Sequence, residues 1–179
     1  MKDVVTSVKV LKEGVIVDLP VAELHYGYRE SSIKHSKDII LEVTLQLQPG
    51  DATALKASLE ETLGKRKASQ PLYAGSAGCM FKNYEIKDDA ELAHIKTVLR
   101  LPEAMEQSKR IGVGWLVQEL DLKGTKIGGA QISPEHGNFI INSGNATASD
   151  ILQIISLVKT RARNAFGIQL QEEVQLMGF

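Results

Sequence analysis

The chain of 179 residues has one cysteine, Cys79, which follows Gly75-Ser76-Ala77-Gly78 and precedes Phe81-Lys82-Asn83. Residues this small let a ligand approach backbone and thiol together, and Lys82 and Asn83 add a cation and an amide suited to a phosphate or carboxylate. A catalytic thiol and a buried structural one both fit this setting, as does a solvated Lys82. Arg29 lies beside Tyr26 and Tyr28. It could clamp a carboxylate bidentately, or stack on the rings and pair with Glu30. Glu172 and Glu173 are adjacent carboxylates, and on a regular strand one faces a site while the other faces water. Lys123-Gly124-Thr125-Lys126-Ile127-Gly128-Gly129 has phosphate-friendly composition, yet neither the P-loop order nor the dinucleotide fingerprint, and its glycines equally suit a turn. His136 could act as an acid or base, or sit in a turn or core. The histidines at 25, 35, 94 and 136 show no metal-ligand spacing, so no metal site is predicted. Glu60-Glu61 and Gln118-Glu119 read as helix surface.

The elements that must position these groups are partly legible. Short β-branched runs at 4–10 and 14–18, separated by Lys12-Glu13, predict a hairpin. A third strand at 39–47 alternates, with Ile39, Leu41, Val43, Leu45 and Leu47 on one predicted face and Glu42, Thr44 and Gln46 on the other, until Pro49-Gly50 stops it. The polar, aromatic stretch 26–32 between them predicts a loop. From Asp51 the texture turns helical, with Leu55, Leu59 and Leu63 in one row, which places a domain boundary near residue 50. Two short helices are expected in 88–108, interrupted by Pro102, then strands at 127–132 and 138–142. A strong helix follows, opened by Thr147-Ala148-Ser149-Asp150, carried by Ile151, Ile155, Val158 and Ala162, and closed by Gly167. A last strand is expected at 168–177. Strands and helices mix without βαβ alternation, so the predicted class is α+β.

Composition bounds the function. Lys+Arg 21 against Asp+Glu 22 leaves a formal net charge of -1, so no overall field draws the chain to nucleic acid or anionic lipid. No apolar run reaches the roughly 18 residues of a membrane span, and no signal-peptide pattern follows Met1. A cytoplasmic chain without nucleic-acid or membrane partners is the expectation. A single cysteine excludes an internal disulfide and any multi-cysteine metal site.

Taken in order, several of these pieces resemble the UDP-N-acetylenolpyruvoylglucosamine reductase (MurB) family, along the length of the chain. Tyr28-Arg29-Glu30-Ser31 is similar to that family's Tyr-Arg-Asp-Ser. Gln70-Pro71 and Gly78-Cys79-Met80-Phe81-Lys82-Asn83 are similar to its Gln-Pro and Gly-Ser-x-Phe-Lys-Asn-Pro. Gly114-Trp115-Leu116, Leu122-Lys123-Gly124, Gly128-Gly129-Ala130, Ser133-x-x-His136-x-Asn138-Phe139, Ala146-Thr147-Ala148-x-Asp150 and Leu170-x-x-Glu173-Val174 complete the set. The resemblance implies a flavoenzyme in which NADPH reduces FAD and the flavin passes hydride to the vinyl carbon of UDP-N-acetylglucosamine enolpyruvate, in peptidoglycan synthesis. It makes Cys79 the proton donor, Glu173 its carboxylate partner and Arg29 the cation on the substrate carboxylate. Lys67, Asn83 and Glu119 fall where the family contacts the nucleotide-sugar.

Departures qualify what is carried over. Cysteine stands where the family has serine. An unperturbed thiol, of pKa about 8.5, is a stronger acid than a hydroxyl and can replace it, at the cost of oxidation sensitivity. Tyr84 replaces the proline after Lys-Asn, and 84–113 reads as an insertion. The family's Gly-rich FAD pyrophosphate segment has no counterpart, so residues 1–50 are expected to be the C-terminal remnant of an FAD-binding domain and 51–179 the substrate-binding domain. The missing N-terminal half is then an expected partner. A rival expectation is a non-catalytic UDP-sugar-binding module or assembly partner without flavin. If the family's roles hold, Cys79→Ala leaves flavin reduction by NADPH intact and stalls its reoxidation by substrate, as followed by stopped-flow absorbance; normal turnover would remove Cys79 from the mechanism.

Overall fold

The β-branched N-terminal run folds into the expected hairpin, β1 (Val5–Lys12) and β2 (Val15–Pro20), turned through Glu13 and Gly14 at φ of 50° and 82°. The third strand, β3 (Ile39–Leu45), pairs antiparallel with β1, giving the order β2-β1-β3. In this computed structural model, which describes residues 2–178, these strands belong to the first of two units, Met1–Ser58 and Leu59–Phe179. The first unit's core is small: Val5, Val8, Val10 and Leu24 are buried, with Val17, Leu19, Tyr26 and Ile33 packed against them.

The single apolar face predicted for β3 does not survive. Val8 pairs with Val43 and Lys9 with Glu42, but Val10 pairs with Ile40, leaving Leu41 unmatched. Cross-strand partners share a face, so this bulge puts Ile40 with Val43 on the face of Val8 and Val10 and sends Ile39, opposite Leu11, to the other. Leu47 lies beyond the strand.

Helix α1 (Ala52–Ser69) crosses the division between the units. Its start is capped by Asp51, whose Oδ1 accepts the Ala54 N–H at 2.7 Å. The predicted leucine row forms but buries nothing: Leu55, Leu59 and Leu63 are 61%, 58% and 45% exposed.

The second unit runs β4 (Gly75–Cys79), β5 (Tyr84–Glu85), α2 (Asp89–Val98), α3 (Glu103–Ser108), β6 (Arg110–Ile111), α4 (Val113–Glu119), β7 (Lys126–Ile127), β8 (Ala130–Ile132), β9 (Phe139–Asn142) and α5 (Ala148–Phe166). Its main sheet has the order β4-β9-β8-β7, antiparallel throughout, beside the small β5-β6 pair. The two helices around Pro102 are α2 and α3. Tyr84 ties β5 to α2, its hydroxyl donating to Glu91 at 2.6 Å; burial and then that carboxylate push the phenol up to about 12. Helix α5 matches its sequence signature: Thr147 Oγ1 accepts the Asp150 N–H, Asp150 Oδ2 accepts the Thr147 N–H, and Gly167 closes the helix at φ 71°. Ile154, Ile155, Val158 and Ala162 form its buried stripe.

Two expected strands are corrected. Residues 127–132 are a tight hairpin, β7 and β8 turned by Gly128-Gly129. The backbone there has no room for a side chain, because a Cβ on Gly129 would lie 2.1 Å from the Gly144 carbonyl oxygen. Residues 168–177 are irregular: Ile168 and Leu170 are buried in the core, but the strand-like pairing is an isolated bridge from Phe81 to Glu172, since the short stretch 80–82 offers the backbone partners. The helix at 113–119 carries the expected helix surface at Gln118-Glu119, but its start was not legible because Gly112 and Gly114 mask its pattern.

Asp150 joins the hairpin to α5, because Oδ2 also accepts the Gly129 N–H at 3.3 Å. The Thr147 N–H, and less strongly that of Gly129, hold this carboxyl below the usual Asp value. A carboxyl depressed on folding contributes stability above its unfolded pKa, about 4, and loses it as pH falls through the folded value. Asp150→Asn should therefore lower the thermal midpoint at pH 7, with the gap to wild type closing below about pH 4. Gly129→Ala, a steric lesion, should keep its gap at every pH in the same melts.

Candidate functional site

Strand β4 is made almost entirely of glycine, serine and alanine, and a bulge at Gly78, φ 87°, breaks its pairing with β9 between Ser76 and Cys79. Cys79 resumes the pairing opposite Phe139 and is half-buried. Past it the chain turns inward, and Met80 and Phe81 are buried.

That inward turn is held by Asn138, 3% exposed. Its side-chain oxygen accepts the Phe81 N–H at 3.0 Å and its amide donates to the Phe81 carbonyl at 2.8 Å. Its backbone carbonyl accepts the Met80 N–H at 2.8 Å. Asn138 is itself placed by a turn in which the Ser133 hydroxyl accepts the Glu135 and His136 N–H groups, and His136 Nδ1 accepts its N–H at 3.2 Å. Accepting at Nδ1 requires an unprotonated ring nitrogen there. Burial, with Lys123 nearby, lowers the His136 pKa and favours that form. The ring also meets Phe139 edge-on at 4.8 Å. His136 is thus a turn histidine.

The other edge of the 80–82 stretch receives the C-terminal segment. Lys82 N–H donates to Gln171 O at 2.9 Å and Glu173 N–H to Met80 O at 2.7 Å, so Glu173 is tied to the residue next to Cys79. Glu172 is drawn to α5, where its Oε1 lies 2.6 Å from Lys159 Nζ. A cavity of about 250 Å³ opens beside β4, lined by Gly75, Ser76, Ala77, Gly78, Met80 and Val174 among others.

The remaining candidates are dispersed. Asn83 Oδ1 accepts the Val113 N–H at 3.3 Å, so this amide starts α4. Lys67 is exposed in the last turn of α1, and Glu119 is exposed at the end of α4. Arg29 belongs to the first unit. There it occupies a tight Gly27–Glu30 turn at φ 55°, its guanidinium 5.8 Å from the Tyr28 ring centre. A non-glycine residue at such φ is strained by about 1–2 kcal/mol. Glu30 is engaged by His35 at 2.7 Å. The Gly128-Gly129 loop is closed to phosphate, because the Gly129 amide is spent on Asp150 and that carboxylate would repel an anion. Among the described residues no cluster of three His, Cys, Asp or Glu could hold a metal ion, and no helix is long and apolar enough to cross a membrane.

Residues 70–177, which include β4, Asn138 and the 168–177 segment, match the family model described as the UDP-N-acetylenolpyruvoylglucosamine reductase C-terminal domain. The chain belongs to this family. Proteins named UDP-N-acetylenolpyruvoylglucosamine reductase from Alkaliphilus metalliredigens and Geobacillus thermodenitrificans are 37% and 36% identical over 179 residues, 99% of this chain and 51% of each relative. The crystal structure of UDP-N-acetylenolpyruvylglucosamine reductase from Thermus caldophilus is similar at TM-score 0.71 and 30% identity, over 97% of this chain and 53% of that one. The chain thus spans about half the length of the reductases it matches, and its α+β fold is that of the reductase family. Motif order carried that recognition; nothing in the sequence singled out Asn138 as the clamp, or Lys159 as the partner of Glu172.

Removing the clamp leaves two buried backbone groups of Phe81 unpaired, at roughly 1–3 kcal/mol each. Asn138→Ala should therefore destabilise by about 2–4 kcal/mol in urea denaturation. Asn138→Asp should not restore this loss, because a carboxylate cannot donate to the Phe81 carbonyl.

Proposed function

We propose that this chain supplies the substrate-binding and proton-donating part of a UDP-N-acetylenolpyruvoylglucosamine reductase, acting on UDP-N-acetylglucosamine enolpyruvate in the cytoplasm for peptidoglycan synthesis. The observation that carries this reading is the bond from Glu173 N–H to Met80 O, which brings one candidate carboxylate to the residue beside the candidate acid. Family membership supports that substrate class.

Reducing an enolpyruvyl double bond adds a hydride and a proton, and this chain's residues suit the proton half. Arg29 binds the substrate carboxylate and stabilises negative charge as it spreads there. The Cys79 thiol gives its proton to the carbon bearing that carboxylate, leaving a thiolate to be reprotonated from solvent. Glu173 orients the reacting group, while Lys67, Asn83 and Glu119 contact the nucleotide-sugar. In this reading residues 51–179 form the substrate domain, and 1–50 belong with the relatives' flavin-binding part.

The glycine segments present do not fit the pyrophosphate of a flavin dinucleotide. Gly129 gives its amide to Asp150, and the Gly78 N–H donates to the Ser76 hydroxyl at 3.2 Å. FAD, and NADPH as its reductant, therefore enter the proposal through the family alone, and the flavin-binding half of the relatives is proposed as the partner that holds them. This misfit also favours a second reading, a UDP-sugar-binding module without catalysis.

Calorimetric titration with UDP-N-acetylglucosamine enolpyruvate, paired with visible absorbance after exposure to FAD, tests the proposal. Wild type should bind the sugar nucleotide, and Arg29→Gly should weaken binding by about 10–100-fold, the worth of one charged hydrogen-bonded contact. Glycine relieves the strained turn, so melting should stay level or rise. Absence of binding by wild type would overturn the reading, whereas a retained flavin band bleached by NADPH would overturn the division of labour.

A further inference from the structure

The adjacent carboxylates Glu172 and Glu173 face a problem of selection. Both lie on a segment with no ladder of its own, held by the Phe81–Glu172 bridge, the bond from Lys82 N–H to Gln171 O, and the Met80 carbonyl, which receives the N–H groups of Glu173 at 2.7 Å and Val174 at 3.4 Å. Burial of Ile168 and Leu170 fixes the start of the segment, but past Leu170 so few bonds leave its register weakly determined. A slip of one residue would exchange the two side chains, because successive residues of an extended segment leave on opposite sides.

Lys159, in the fourth turn of α5, breaks this degeneracy. Its Nζ is 2.6 Å from Glu172 Oε1, with side-chain exposures of 39% and 35%. The lysine stands on a helix whose neighbouring Ile155 and Val158 are buried, so its anchor is rigid while the segment is not. The pair lies in a groove of about 320 Å³ lined also by Leu152, Ile155 and Arg163. We infer that Lys159 is a positioning residue: by capturing Glu172 it sets the register of the C-terminal segment and so fixes Glu173 beside Cys79. The role in turnover rests on the reductase reading above; the register itself does not.

A half-exposed ion pair biases a local equilibrium by at most roughly fivefold, so the effect is confined to the segment it holds. Amide hydrogen exchange by NMR on the full chain reads this directly. Lys159→Met should speed exchange at Glu173 and Val174 by about three- to fivefold, with the Ile154 and Ile155 amides unchanged. Lys159→Arg should retain protection, and the swap Lys159→Glu with Glu172→Lys should restore it. Unchanged exchange at Glu173 in Lys159→Met, or a swap that fails to restore it, overturns the inference. Turnover with FAD, NADPH and substrate, in the chain supplemented with the flavin-binding half of a relative, adds the second arm: kcat should fall in Lys159→Met with KM held, and recover in the swap. If the supplemented wild type gives no turnover while the exchange results hold, the reductase reading fails and the positioning role stands.

Discussion

The local structure around Cys79 depends on one buried amide. Asn138 meets both the N–H and the carbonyl of Phe81, and its own carbonyl takes the Met80 N–H, so a single residue satisfies three backbone groups where β4 leaves its sheet. Buried backbone groups must be paired, and here no neighbouring strand is available to do it. The clamp lets Met80 and Phe81 enter the core while Cys79, one residue earlier, stays half-exposed. It also leaves the outer edge of the same stretch open, and the C-terminal segment bonds there. The thiol and the segment carrying Glu173 are thus organised from opposite sides of three residues.

A second knot secures the far side of the sheet. Asp150 caps α5 and reaches across to the Gly129 amide, while the glycines beneath it allow backbone approaches that no side chain would permit. The same loop composition that suits a phosphate suits this internal carboxylate, and the carboxylate is covalently present. The anion that satisfies these amides is supplied by the chain itself.

The first unit is built to a different standard. Its buried set is Val5, Val8, Val10 and Leu24, and Ile40, Val43 and Leu45, on the same face of the sheet, remain 51%, 43% and 45% exposed. A core of this size contributes little stability on its own. Arg29 holds there a left-handed turn conformation that glycine would adopt without strain.

By itself the sequence determined the α+β class, the N-terminal hairpin, the paired helices around Pro102 and the limits of α5, because capping residues, glycines and β-branched runs act over a few neighbours. The order of its short motifs also pointed to the family. Only the tertiary structure decided the rest. The bulge at Leu41 splits the alternation of β3, since register depends on the partner strand. The glycine pair at 128 and 129 divides one expected strand into two because Gly144 and Ala146 crowd it. The terminal segment is no strand, because only 80–82 offer it partners. The clamp by Asn138 on Phe81 spans 57 residues, and the capture of Glu172 by Lys159 joins a helix to an irregular segment. Such pairings depend on distances that folding creates, and no local pattern of residues encodes them.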